Sequence, residues 1–149
     1  MLISKQGKPE NATHNPMILT EKKETDVAHI YFENDILYIS FKKDVIVELN
    51  HINEIIEIRK EIQQGEKTLT IVNSGKLWRV EKEARKRAAS DEMIQHNIAL
   101  ALIAKSLPLR IISNFYINVD KPNVPTKMFN SEKEAIAWLK GYSKKKNIT

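Results

Sequence analysis

An α/β fold built on a mixed sheet of about five strands is what this 149-residue sequence predicts. Three features carry the prediction. "AHIYFENDILYISF" holds two alternating apolar segments around a polar break and reads as an opening β-hairpin. Beyond it, strand-like and helix-like segments alternate to the C-terminal end. "IALALIA", residues 98–104, is short and almost wholly apolar between two helical segments. That is the pattern of a parallel strand buried on both faces.

Residues 1–25 are polar and aperiodic and predict a flexible or peripheral arm, leaving 26–149 as one domain. In the hairpin, Ile30 and Phe32 alternate with His29 and Tyr31. Leu37, Ile39 and Phe41 alternate with Ile36, Tyr38 and Ser40, and Glu33-Asn34-Asp35 makes the turn. "NHINEIIEIRKEIQQG" predicts a helix: Asn50 is its N-cap, Ile52, Ile55, Ile56 and Ile62 recur near helical spacing, and Gly65 stands where a helix ends. "KTLTIV", residues 67–72, is a strand, and Val80 to about His96 a helix.

After the buried run, Ser106 is an N-cap with Pro108 in the first turn, where proline is tolerated, and "LRIISNFYINV" follows as a helix. "VPTKMF", residues 124–129, is a strand whose leading proline confines it to an edge or a strand start. Ser131 and Glu134 have capping-box spacing, and Ala135, Trp138, Leu139 and Tyr142 form the apolar stripe of a closing helix. The order is ββ-α-β-α-β-α-β-α, with right-handed crossovers expected between parallel neighbours.

Composition removes several function classes. Hydrophobic residues make up 42% and charged residues 29%, as in an ordinary globular domain large enough for its own core. The absence of cysteine excludes disulfides, thiolate catalysis and cysteine zinc sites, and fits a reducing cytoplasm. No signal-peptide core and no apolar run of membrane-spanning length occurs, so a cytoplasmic protein without a membrane span is expected. The net charge of +5 and pI of about 9.3 invite nucleic acid. Yet Lys144, Lys145 and Lys146 alone supply three of the 24 basic residues, and such a run reads as a solvated end.

"WRVEKEARKRAAS" is the densest basic stretch. From Glu81 to Glu92, Lys82, Arg85, Lys86 and Arg87 face Glu81, Glu83, Asp91 and Glu92, four charges against four. Glu81–Arg85, Glu83–Arg87 and Arg87–Asp91 fall at i,i+4, predicting a salt-bridged outer helix face rather than a nucleic-acid stripe. The histidines His14, His29, His51 and His96 are scattered, so no metal site is expected. No phosphate-cradling glycine motif and no nucleophile elbow occurs, and no cofactor is expected.

The helix at 109–119 is the most unusual surface. At about 100° per residue, Leu109, Ile111, Ile112, Phe115, Tyr116 and Val119 fill an arc of roughly 160°, with Ile117 outside it. Covering a sheet needs about 100°. The surplus fits deeper burial, a self-association patch, a partner site or a pocket wall.

Four stretches, "ILYISFKKDVIVELNHINEIIEI", "KEARKRAASDE", "IALALIAKSLPLRIISNFYI" and "PTKMFNSEKEAIAWLK", give the chain a further likeness over about residues 30–142. Together they resemble the STAS superfamily, and more closely its bacterial anti-sigma-factor-antagonist-like branch. The resemblance implies the STAS-like fold and a regulatory role. It also implies a phosphorylatable serine at the start of the helix after the third strand. That place falls at Val80-Glu81-Lys82, which has no hydroxyl; Ser74 and Ser90 are the nearest, and Glu81 could stand there as a constant negative charge.

The expected function is therefore a non-enzymatic regulatory or protein-interaction module that binds a protein partner or itself as a homodimer, without nucleic acid. Ile111, Phe115, Tyr116, Ile117, Trp78, Arg79 and Glu81 are the candidate contact residues. The alternative is a small apolar-ligand or lipid-binding module, because the related lipid-transfer fold uses a comparable helix-on-sheet architecture. A dry cavity of about 300–1,000 Å³ would favour a ligand, and a filled core with an exposed apolar patch would favour a partner.

Overall fold

The structure, a computed structural model, describes residues 21–148. The arm at 1–20 and the side chains of the Lys144–Lys146 run lie outside the described residues. The end of the arm joins the sheet. Lys23–Glu24 (β1) pairs antiparallel with Ala28–Glu33 (β2), Lys23 opposite Ile30. Thr25 makes the connection, its buried hydroxyl oxygen accepting from the Val27 and Ala28 N–H groups at 3.1 and 3.0 Å.

β2 turns into Ile36–Phe41 (β3) through Asn34 and Asp35 alone, both at positive φ (53° and 67°). Two positive φ values in a two-residue hairpin loop match the right-handed twist of the strands, and Asn and Asp tolerate them best after glycine. Ala28, Ile30 and Phe32 of β2 point to one face. β3 is buried on both, with Leu37 and Ile39 on that face and Ile36 and Tyr38 on the other.

Ile46–Val47 (β4) leads into the helix Leu49–Gln63 (α1). The N-cap is Glu48, two residues before the expected Asn50, and its N–H donates to His51 Nδ1 at 2.9 Å. Gln64 and Gly65, both left-handed, end the helix. Thr68–Asn73 (β5) pairs parallel to β3, Asn97–Ile103 (β7) to β5, and Thr126–Phe129 (β8) to β7. The sheet thus has six strands in the order β1-β2-β3-β5-β7-β8, one more than the sequence predicts, the addition being β1. A small parallel ribbon of β4 with Arg79–Val80 (β6) lies beside it.

The predicted helix from Val80 to His96 is two helices, Lys82–Ala88 (α2) and Asp91–Ile94 (α3). Ser90 adopts extended backbone between them and turns its hydroxyl back to donate to the Arg87 carbonyl at 2.6 Å. Leu107–Phe115 (α4) begins at Ser106, whose Oγ accepts from Leu109 N–H at 3.4 Å. Its continuation, Tyr116–Asp120, widens to a π-helical turn closed by Lys121 N–H on the Tyr116 carbonyl at 2.9 Å. Glu132–Ile148 (α5) is capped by Ser131, which accepts from Glu134 N–H at 3.2 Å.

The parallel strand order advances in one direction from β3 to β8, so crossovers of a single hand place α1, α2 and α4 on one face. Ile52, Ile55, Ile56, Ala84 and Leu109 pack there against Ile30, Leu37 and Ile39. Among the described elements, α5 alone covers the other face. Its Ala135 and Leu139 lie fully buried against Ile71, Ala99, Ala101 and Ile103, and Trp138 bridges Phe129 and Tyr142 with ring centroids 5.5 and 4.9 Å apart.

Candidate functional site

α4 divides its apolar residues between core and solvent. Leu109 and Tyr116 are buried, and the small Ser113 fits under the same face. Leu107, Ile111, Phe115 and Val119 are exposed, between 46% and 71%, and stand four residues apart. Leu107, Ile111 and Phe115 form an i,i+4 ridge about 12 Å long at 1.5 Å per residue, and Val119 extends it on the π-helical turn that follows.

The sequence expectation was in part inverted here. Ile117, expected off the packed arc, is half-buried against Leu100, Leu102 and Tyr116. Tyr116, a candidate surface residue, is core: its hydroxyl donates to the Ala88 carbonyl at 2.8 Å, and burial pushes its ionisation well above the ordinary tyrosine range. The physical reason is which edge of the apolar arc meets the sheet. At about 100° per residue Tyr116, Ser113 and Ile117 fall within roughly 80° of Leu109, so the buried face is centred on Leu109 and Ser113 and the far side of the arc is left to water.

α2 buttresses the ridge. The Arg85 guanidinium lies 4.4 Å from the centre of the Phe115 ring and donates through Nε to Asp120 at 2.5 Å. None of the three expected i,i+4 pairs forms. Glu81 pairs with Arg79 at 2.9 Å, and Arg87 pairs with Glu92 at 2.6 Å and donates to Asn53 at 2.8 Å. Lys60 of α1 reaches the same Glu92 at 2.6 Å, and the two cations hold that carboxyl down to about 2, Lys60 first. The basic stretch is therefore less a wet face than a set of ties between elements.

Charge around the ridge is one-signed. From Lys105 to Lys121 the charged residues are Lys105, Arg110, Asp120 and Lys121. The one acid, Asp120, has a side chain only 4% exposed beneath Arg85.

Trp78, Arg79 and Glu81 sit elsewhere, on the loop and ribbon after β5. Trp78 N–H donates to the Val45 carbonyl at 2.8 Å, leaving the indole 68% exposed. Glu81 is the N-cap of α2, but Arg79 neutralises it. Among the described residues, no hydrogen bond, ion pair or cation–π contact joins this trio to the α4 ridge. Ser74 is half-buried at the C-terminal end of β5.

Between the sheet and α1, α2 and α4 lies a cavity of about 100 Å³, lined among others by Ile55, Val72, Leu100, Ile112 and Tyr116. Arg59 lines it too and is 3% exposed. Burial lowers its pKa to about 10. Sequence reading passed over this residue, although the signal was present. Arg59 occupies the slot in the α1 stripe between Ile55–Ile56 and Ile62 where helical spacing calls for an apolar side chain. Among the described residues, no group of three or more histidines or acids is placed to hold a metal ion, and no helix is long and apolar enough to cross a membrane.

Residues 30–143 match a family described as a domain of unknown function, DUF7793. The chain belongs to this family. The DUF7793 domain is also similar in structure to an uncharacterised protein of the DUF3478 family from Shewanella loihica PV-4, described as having a SpoIIAA-like fold. That similarity has a TM-score of 0.54 at 13% identity and covers 78% of this chain and 98% of the other. At that identity the fold is what is shared, and the DUF7793 domain is accordingly SpoIIAA-like, a STAS fold. No curated protein matches it.

Proposed function

We propose that this DUF7793 protein is a non-enzymatic regulatory module whose α4 ridge docks an acidic amphipathic helix of a partner protein. The observation that carries the reading is the exposed row Leu107, Ile111, Phe115 and Val119. A straight i,i+4 ridge is the shape that fits the groove between i,i+4 ridges of a second helix. Lys105 and Lys121 at its two ends, with Arg110 between and no unpaired acid, select a partner of negative charge. A second copy would bring the same basic ends against these, which disfavours self-docking. A cavity of about 100 Å³ is well below the 300–1,000 Å³ that drug-sized or lipid ligands occupy, so the lipid alternative has little room.

The test uses two designed helical peptides with the same leucine stripe, one flanked by glutamate and one by lysine. The glutamate peptide is expected to shift the NMR signals of residues 107–119, and Ile111→Lys to abolish the response. Equal binding of both peptides, or shifts confined to other elements, would overturn the reading. Sedimentation of the chain alone is the second arm: a dimer dispersed by Ile111→Lys would replace the acidic partner with a second copy.

A further inference from the structure

Among the described residues, Arg59 is a buried cation without a counter-ion. Its partners are all neutral: Gln63 Oε1 at 3.2 Å, the Met93 carbonyl at 3.1 Å, Asn97 Oδ1 at 2.6 Å and Thr70 Oγ1 at 3.4 Å. Those bonds occupy four of the five guanidinium N–H groups and leave one on Nη1. Asn97, 6% exposed, uses only its oxygen here; its Nδ2 is fully buried and has no partner. Three N–H donors therefore remain unmatched around one positive charge, and both residues line the same cavity. A buried polar group without a partner and a buried charge without its opposite are each costly, and a native fold keeps them where something completes them.

The rest of the wall defines what that would be. Ile55, Val72, Leu100 and Met93 present hydrocarbon to the space. An inorganic anion would match Arg59 and leave these side chains unfilled. A neutral alkyl molecule would fill them and leave the charge unmatched. The volume, about 100 Å³, is smaller than a 150 Å³ cavity that accepts the six carbons of benzene, which limits a ligand to at most about six heavy atoms.

We propose that this cavity is a binding site for a short aliphatic monocarboxylate, received by Arg59 and Asn97 with its chain against Leu100 and Val72. No residue of the exposed α4 ridge lines the site.

The test titrates propionate and butyrate into the full chain at constant ionic strength, with chloride and butanol as controls, following the Arg59 Nε–H and Asn97 amide NMR signals and the melting midpoint. Saturable shifts of both signals and a midpoint that rises with carboxylate concentration are expected, with neither control reproducing them. Asn97→Asp supplies a carboxylate of the same size beside Nη2. It is expected to raise the midpoint of the ligand-free protein and to remove the response to butyrate. Chloride or butanol acting as well as butyrate, or no saturable shift with either carboxylate, would overturn the proposal. So would an Asn97→Asp protein that melts lower than the parent and still responds.

Discussion

The Arg85 guanidinium carbon lies 4.4 Å from the Phe115 ring centroid, and the same guanidinium holds Asp120 at 2.5 Å. One residue of α2 thus fixes both the last exposed aromatic of α4 and the acid that closes the π-helical turn. Arg85→Ala leaves the Asp120 carboxylate, 4% exposed, without its cation. Breaking a buried pair from one side costs about 3–5 kcal/mol, and the partial exposure of Arg85 puts the expected loss near the lower end, about 3 kcal/mol. Urea denaturation measures it, and Arg85→Ala with Asp120→Asn together should recover part of the loss.

Ile117 and Ile111 are six residues apart and should respond in opposite ways to lysine. Ile117→Lys forces a charge against Leu100, Leu102 and Tyr116 and is expected to cost about 1–3 kcal/mol. Ile111→Lys, at a position 58% exposed, should change stability by no more than about 0.5 kcal/mol. Thermal unfolding of both variants is the measurement; equal stabilities would contradict the packing of Ile117 against Leu100 and Leu102.

Leu100 and Leu102 of β7 are 3% and 7% exposed beneath Tyr116. Leu→Ala at either should lower stability by about 2–5 kcal/mol. An unchanged denaturation midpoint at either position would contradict the burial of this strand.

Glu92 gives the protein an acid-sensitive tie. Its carboxyl is held down to about 2, against an ordinary 4.5, by hydrogen bonds from Lys60 and then Arg87. A folded-state value below the unfolded one contributes stability in full above about pH 4.5 and loses it as pH falls toward 2. Acid titration of the melting midpoint should therefore drop less steeply between those pH values in Glu92→Gln than in the parent. Because the pair is partly exposed, added salt should shrink the difference.

The fold was largely legible because its central strands and closing helix announce themselves through burial. The unbroken run 98–104 is β7 shifted by one residue, and Ser131 caps α5 where its spacing to Glu134 says it should. What escaped the sequence depends on partners distant in the chain. Lys23 and Glu24 carry no apolar alternation and become a strand only because β2 offers an edge. The ribbon of β4 and β6 is two residues on each side, too short for any period to show. Arg85 and Arg87 had plausible acids one turn away, yet each takes an acid elsewhere, Asp120 or Glu92, that tertiary packing delivers at shorter range.

The candidate surface was legible only in part for the same reason. The surplus of apolar residues on α4 was visible, but which side of the arc faces water depends on how the helix seats against Leu100, Leu102 and Ala88, and no local pattern in "LRIISNFYINV" records that. Arg59 stands inside the α1 stripe and drew no reading from the sequence, because a single sequence does not reveal that Asn97, 38 residues later, receives it.

The division of the two sheet faces also governs how the chain emerges from the ribosome. Helices α1, α2 and α4 arrive between the strands they cover, so one face can close as synthesis proceeds. The other waits for α5, and until Ala135 and Leu139 have been made, Ile71, Ala99, Ala101 and Ile103 have no cover. A nascent chain stalled near Phe129 would hold every strand of the sheet and none of the cover for that second face. Such an intermediate is the species that chaperones bind and that aggregates when they do not. Between translating residue 130 and docking α5, that face of the sheet is open to aggregation.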